Sequence, residues 1–276
     1  MNPRELIKEI IPPGIVKLYR LIKYKTVSYG YVGDYSSWGA AKAASSGYDS
    51  DIILKKVKDA LLAVKSGKAV YERDSVLFNK IEYAWPLLSM LLWIAAKSGN
   101  HLNIIDFGGS LGSTYFQNRV FLNHIDGFKW NIVEQKKFVE CGIKYFQDEN
   151  LKFYYDIKSC ISIEKPSTIL LSSVIEYIER PFLLLKSIID EGFEYVIIDR
   201  TIFHDAPDRI TVQRVPPDIY DASYPCWIFN RKKILDFFTA GYELVADFEA
   251  LGGEFKIDGI KSRHEGYVFK KRTVRK

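Results

Sequence analysis

Apolar residues follow two different periods along this chain, and the change falls near Gly99. Before it the spacing is helical. Ile53, Val57, Ala60, Leu61 and Val64 form one stripe over 51–64, with Asp49 or Ser50 placed to cap it and Gly67 to end it. A second helix is predicted over 81–97, ended by Gly99. Leu6–Ile11 reads as a short helix stopped by Pro12 and Pro13. Ile15–Tyr24 reads as another, with Lys17, Arg20 and Lys23 at three-residue spacing. The Gly-, Ser- and Tyr-rich stretch 29–49 reads as ordered loop with one short helix, and 71–78 as irregular.

After Gly99 short apolar runs alternate with helical patterns. Strands are predicted over 102–106, 130–134, 151–155, 168–171 and 194–199. Helices follow most of them, and a further helix spans 230–240, capped by Asn230 and ended by Gly241. Two last strands, 242–248 and 266–271, are separated by a short irregular connection and read as an antiparallel edge pair. Strands alternating with helices predict a mostly parallel seven-stranded α/β sheet, covered by helices on both faces. Residues 1–100 are expected as a helical N-terminal cap and 101–276 as the sheet domain.

The composition removes several classes. The chain has 276 residues, 47% hydrophobic and 26% charged, near the globular average. The formal charge of +5 is mild and partly terminal, since residues 270–276 hold five basic residues and no acid. A nucleic-acid partner is not expected from so thin a basic surface. Cys141, Cys160 and Cys226 are widely spaced and odd in number, so no disulfide framework or zinc cluster is expected, and a cytoplasmic location fits. The longest apolar stretch, 84–96, is broken by Pro86 and Ser89 and is too short to span a bilayer. The basic segment 15–25 is a candidate for peripheral contact with the inner face of a membrane, or alternatively for packing on the body of the protein.

The candidate chemistry lies at strand ends. The run Asn103-Ile-Ile-Asp106-Phe-Gly108-Gly109-Ser110-Leu-Gly112 is an apolar strand ending in a carboxylate, followed by small residues that permit a tight turn into a helix. Such a turn brings backbone N–H groups to a ligand at the carboxyl edge of a sheet. The dinucleotide pattern Gly-x-Gly-x-x-Gly is absent, because Ser110 and Ser113 occupy its later positions. Glu134 ends the second strand, where an acid can accept the hydroxyl protons of a ribose. Asp156 ends the third, and Asp199, Arg200 and Thr201 the fifth. Glu176 and Tyr177 follow the fourth, at positions that can project into the same cleft. His204 is a candidate general base, with Glu176, Tyr177 and Asp199 as substitutes. The aromatic run Tyr224-Pro-Cys-Trp227 reads as a loop placed to wall a substrate. No tight carboxylate and histidine cluster suggests a metal.

The turn Asp106–Gly112 resembles motif I of class I S-adenosylmethionine-dependent methyltransferases, and Ser172–Tyr177 resembles their motif IV. Three further stretches, Tyr31–Trp38, Ala44–Asp49 and Gly67–Val76, are similar to the N-terminal signature of a methyltransferase family associated with surface-polysaccharide and lipopolysaccharide biosynthesis. Together with Ile198–Thr201 and Pro225–Trp227, the resemblance covers roughly residues 28–270. It implies a Rossmann-like fold and S-adenosyl-L-methionine as cofactor. That cofactor would be held by Asp106, Gly108, Gly109, Ser110, Gly112, Glu134, Asp156, Ser172 and Ser173, with Asp156 on the adenine amino group. The implied reaction is O-methylation, or less favoured N-methylation, of a sugar or glycan precursor. The rivals are a non-catalytic scaffold of the same fold and a nucleotide-sugar oxidoreductase.

Overall fold

The computed structural model describes residues 29–47, 50–73, 76–78, 80–216, 219 and 221–273. The helices expected over 6–11 and 15–24, and with them the basic membrane candidate, lie outside the described residues.

The centre of the sheet is β4 (His101–Phe107), flanked in parallel by β5 (Gly127–Val133) and β7 (Thr168–Ser172). Outside β5 lies β6 (Leu151–Tyr154), and outside β7 lies β8 (Tyr195–His204), both parallel. β12 (Ile260–Lys271) then runs antiparallel to β8, and β11 (Tyr242–Ile257) antiparallel to β12. The order 6-5-4-7-8-12-11 is a seven-stranded, mostly parallel sheet with one reversed strand. This is the Rossmann-like α/β fold that the strand–helix alternation predicts. β7 and the first half of β8 are apolar almost without interruption because both of their faces are buried.

Alternate residues of these strands feed two cores. On one face Ile104, Trp130, Ile132, Leu170 and Ile197 meet α2 (Ser50–Lys65), α3 (Trp85–Lys97), α4 (Ser113–Leu122) and α5 (Lys136–Tyr145). On the other, Ile105, Ile169, Leu171, Val196 and Ile198 meet α6 (Ile157–Glu164), α7 (Pro181–Glu191) and α8 (Arg231–Phe238). The two N-terminal helices thus complete one face of the sheet. α3 begins at Trp85 rather than Ile81, with Pro86 in its first turn.

Several expectations are corrected. β8 continues five residues past Asp199 to His204. Its end pairs with β10 (Ser223–Asn230), which continues into an antiparallel annexe through β9 (Arg209–Arg214) to β1 (Gly30–Tyr35). The aromatic run Tyr224–Trp227 is therefore strand, not loop. The N-terminal region supplies the one short helix expected in 29–49, α1 (Trp38–Ala43), and also β1 and a hairpin of β2 (Tyr71–Arg73) with β3 (Val76–Phe78), where loop and irregular chain were expected. β11 also runs past its predicted end. Gly252 and Gly253, at φ 122° and 66°, lie where its register with β12 shifts, and Asp258–Gly259 makes the tight turn.

Candidate functional site

The turn after β4 is built on positive φ. Gly108, Ser110 and Gly112 take φ of 73°, 54° and 101°. A Cβ on Gly108 would lie 2.4 Å from Val174 Cγ2, and one on Gly109 would lie 2.4 Å from Asp106 Oδ2. The turn is therefore packed down onto its own acid and onto the strand exit beside it. Ser110 accepts the left-handed region that glycine ordinarily fills, at a modest cost in strain. Trp130, which the β4–β5 register pairs with Ile104, two residues before Asp106, donates from Nε1 to Asp106 Oδ2 at 3.0 Å. Asp106 is 1% exposed, and burial pushes its carboxyl up to about 7, against the pull of the Trp130 bond and the Arg200 charge.

Glu134 leaves β5 beside this turn. Its carboxylate accepts from the Gln135 N–H at 2.5 Å, and the Ser110 N–H also favours its charged form. Burial raises its pKa and those two donors oppose the rise. Glu134 also bears electrostatically on Asp106, so the two acids share one edge of the sheet.

The next two strand tips interlock. Ser172 Oγ donates to Asp199 Oδ2 at 2.6 Å, and the Ser173 N–H donates to the Asp199 carbonyl at 2.9 Å. Ser173 Oγ donates to Glu176 Oε1 at 3.3 Å, and Thr201 Oγ1 reaches Glu176 Oε2 at 3.5 Å. Asp199 and Glu176 are each 1% exposed. Burial raises both, Glu176 to about 8, while Arg200 favours the ionised forms. Arg200, at φ 49°, sends Nε to Ser172 Oγ at 3.3 Å and acts on Asp106, Glu176 and Asp199 alike. It is the shared cation of the site, and its position directly after Asp199 was the sequence signal for it.

Three candidates stand apart from this group. Asp156 is exposed and caps α6, accepting from the Ser159 N–H at 2.8 Å, which holds its carboxyl below the usual range. His204 is 1% exposed and its Nε2 hydrogen-bonds the Pro207 carbonyl at 2.9 Å. Burial lowers its pKa, and the extension of β8 carries it away from Asp199. These are the settings of a helix cap and of a buried, hydrogen-bonded histidine. Tyr177 turns to the annexe: its hydroxyl donates to Gln213 Oε1 at 2.8 Å and its ring meets Tyr224 edge-on. Burial pushes its pKa well up, which does not suit a base.

Glu72 has no counterpart in the sequence reading of the site. It is buried in β2 and accepts a hydrogen bond from Ser113 Oγ, the first residue of α4. A carboxylate there complements the positive end of that helix and ties the N-terminal hairpin to the Asp106–Gly112 turn. Among the described residues no group of three or more His, Cys, Asp or Glu is arranged to hold a metal. Nor is any described helix long and apolar enough to cross a membrane.

No protein-family model and no curated protein matches the sequence. Solved structures similar in fold include the N-terminal domain of EvdMO1, crystallised in the presence of SAH and D-fucose. It is 11% identical, with a TM-score of 0.47 over 82% of this chain and 98% of that one. The glycopeptide N-methyltransferase MtfA with sinefungin is 11% identical, with a TM-score of 0.45 over 67% and 94%. Magnesium protoporphyrin IX methyltransferase from Synechocystis PCC 6803 with bound SAH is 12% identical, with a TM-score of 0.41 over 67% and 81%. Likeness this distant leaves the chemistry of this chain to be read from its own residues.

Proposed function

We propose that this protein is an S-adenosylmethionine-dependent methyltransferase acting on a sugar or glycan precursor. The observation that carries the reading is Glu134, a carboxylate set at a strand tip against the Ser110 N–H of a turn made of positive-φ residues. A nucleoside fits this donor set. Glu134 would accept the ribose hydroxyls, the backbone of 108–112 would approach the ligand closely, and Asp106, Ser172 and Ser173 would face its amino-acid end. The cofactor supplies an electrophilic methyl group on a sulfonium.

The chain's own tasks are to orient the acceptor, exclude water and take one proton. The proton-accepting role falls to Asp199 rather than His204, because Asp199 stands at the strand tip beside Ser172 and Arg200 with its Oδ1 unpartnered, whereas Nε2 of His204 is engaged by the Pro207 carbonyl. The sugar acceptor and the link to surface glycans rest on the sequence resemblance. Glu134→Ala is expected to weaken S-adenosylhomocysteine binding by about 1.5–3 kcal/mol, roughly ten- to a hundredfold, read by calorimetry on protein shown folded by circular dichroism. Unchanged affinity would remove Glu134 from the ribose and the reading with it.

A further inference from the structure

A cavity of about 460 Å³ opens between the segment leading into α3 and the irregular stretch of β11, and Asp199 reaches it from the tip of β8. Glu82, Leu87, Phe248 and Glu249 line it with Asp199, and its lining holds three carboxylates and no lysine, arginine or histidine. The carboxylates differ. Glu82 is paired with Arg73 Nη1 at 2.8 Å, and Glu249 is exposed at the rim. Asp199 is buried. Its Oδ2 is taken by Ser172 Oγ, but its Oδ1 has no hydrogen-bond partner. A buried carboxylate oxygen without a donor costs free energy that a donor on a ligand would recover. Arg200 acts on Asp199 from outside this lining, with its Nε directed at Ser172 Oγ.

We infer that this cavity is the acceptor subsite and that it takes an amino sugar. The ammonium of that sugar would donate to Asp199 Oδ1, within the field of Glu249, while its apolar ring face lies on Leu87 and Phe248. The volume is in the range for a small ligand of this kind. A neutral hydroxyl could fill the same place with one hydrogen bond, but without the charge-assisted strength that an ammonium gains on a carboxylate. The inference rests on the methyltransferase reading and sharpens it, moving the acceptor atom from oxygen to nitrogen: the ammonium would give one proton to Asp199, and the freed nitrogen lone pair would take the methyl group as its bond to the sulfonium breaks and the sulfur leaves as a neutral thioether.

The test compares methyl glucosaminide with methyl glucoside, titrated at near-neutral pH into protein saturated with S-adenosylhomocysteine. The amino sugar is expected to bind roughly tenfold or more tighter, as a charge-assisted hydrogen bond requires. Asp199→Asn, which keeps the shape and removes the charge, is expected to abolish that preference. Glu249→Gln at the exposed rim is expected to narrow it and provides the reading if Asp199→Asn does not fold. Equal affinity for the two sugars overturns the inference, as does failure of the glucosaminide to bind. Displacement of the glucosaminide by S-adenosylhomocysteine overturns it too, since the cavity would then hold the ammonium of the cofactor. If the protein binds no S-adenosylhomocysteine, the methyltransferase reading fails, and the sugar pair titrated into free protein still decides the ammonium site.

Discussion

Asp106 and Glu176 are carboxyls folded into surroundings that favour their protonated forms. Burial is the largest cause in each, raising Asp106 from 3.8 to about 7 and Glu176 from 4.5 to about 8. Between those limits the unfolded chain releases protons that the folded chain keeps. The stability that depends on them is fully present in acid below the ordinary carboxyl range and is lost as pH rises through about 7 and about 8. Each group contributes a slope of at most about 1.4 kcal/mol per pH unit inside its window. The urea midpoint is therefore expected to fall from pH 5 to pH 8, and Glu176→Gln to flatten part of the fall. A midpoint that rises over this range would show that both carboxyls are ionised in the fold. The acid Asp106 was legible as the end of an apolar strand, but its partner Trp130 was not, because that contact depends on the β4–β5 register. The setting of His204 was hidden for a related reason: its nearness in sequence to Asp199 became distance along an extended strand once β8 ran on through it.

Glu265 shows how the elements are locked together. It accepts from Arg231 Nε at 2.9 Å and Nη2 at 2.6 Å, from Arg263 Nε at 2.5 Å, and from the Tyr267 hydroxyl. Arg231 opens α8, so this one carboxylate fastens the start of a helix to β12. Burial works to raise its pKa, but the bonds from Arg231, Tyr267 and Arg263 outweigh burial and hold it low. Glu265→Gln leaves Arg231 without its bidentate partner and is expected to cost about 3 kcal/mol in chemical denaturation. A loss below about 1 kcal/mol would place the pair with ordinary surface ion pairs. The repeating strands and helices were legible because each carries its own period. β1 was not: in Gly-Tyr-Val-Gly-Asp-Tyr two glycines and an aspartate interrupt the strand-favouring Tyr and Val. It becomes a strand because β9 offers it an edge and Arg209 Nε binds the Gly33 carbonyl at 2.9 Å.

At the scale of the whole molecule, β8 belongs to two structures. Its first half lies between β7 and β12, and its last residues lie between β12 and β10. The change of partner falls at Asp199–Thr201, where Arg200 takes φ 49°, so the candidate site sits where the parallel sheet and the annexe part. The parallel sheet could be read from local patterns. The annexe could not, since its pairing of Gly30 with Arg214 joins distant stretches of the chain. Among the ties that bind the annexe to the rest are the continuous backbone of β8, the Tyr177–Gln213 bond, the Trp227 Nε1 bond to the Ile178 carbonyl, and Arg209, which holds β1 through Gly33 and the β11–β12 turn through Asp258. Elements tied this closely are expected to open as one unit with the sheet. Native-state hydrogen exchange tests this directly. The most protected amides of β9 and β10 are expected to exchange with the same free energy and denaturant dependence as those of β7. If they exchange at a free energy several kcal/mol lower, the annexe opens on its own, and the contacts that Gln213 and Tyr224 make with Tyr177 break without the sheet unfolding.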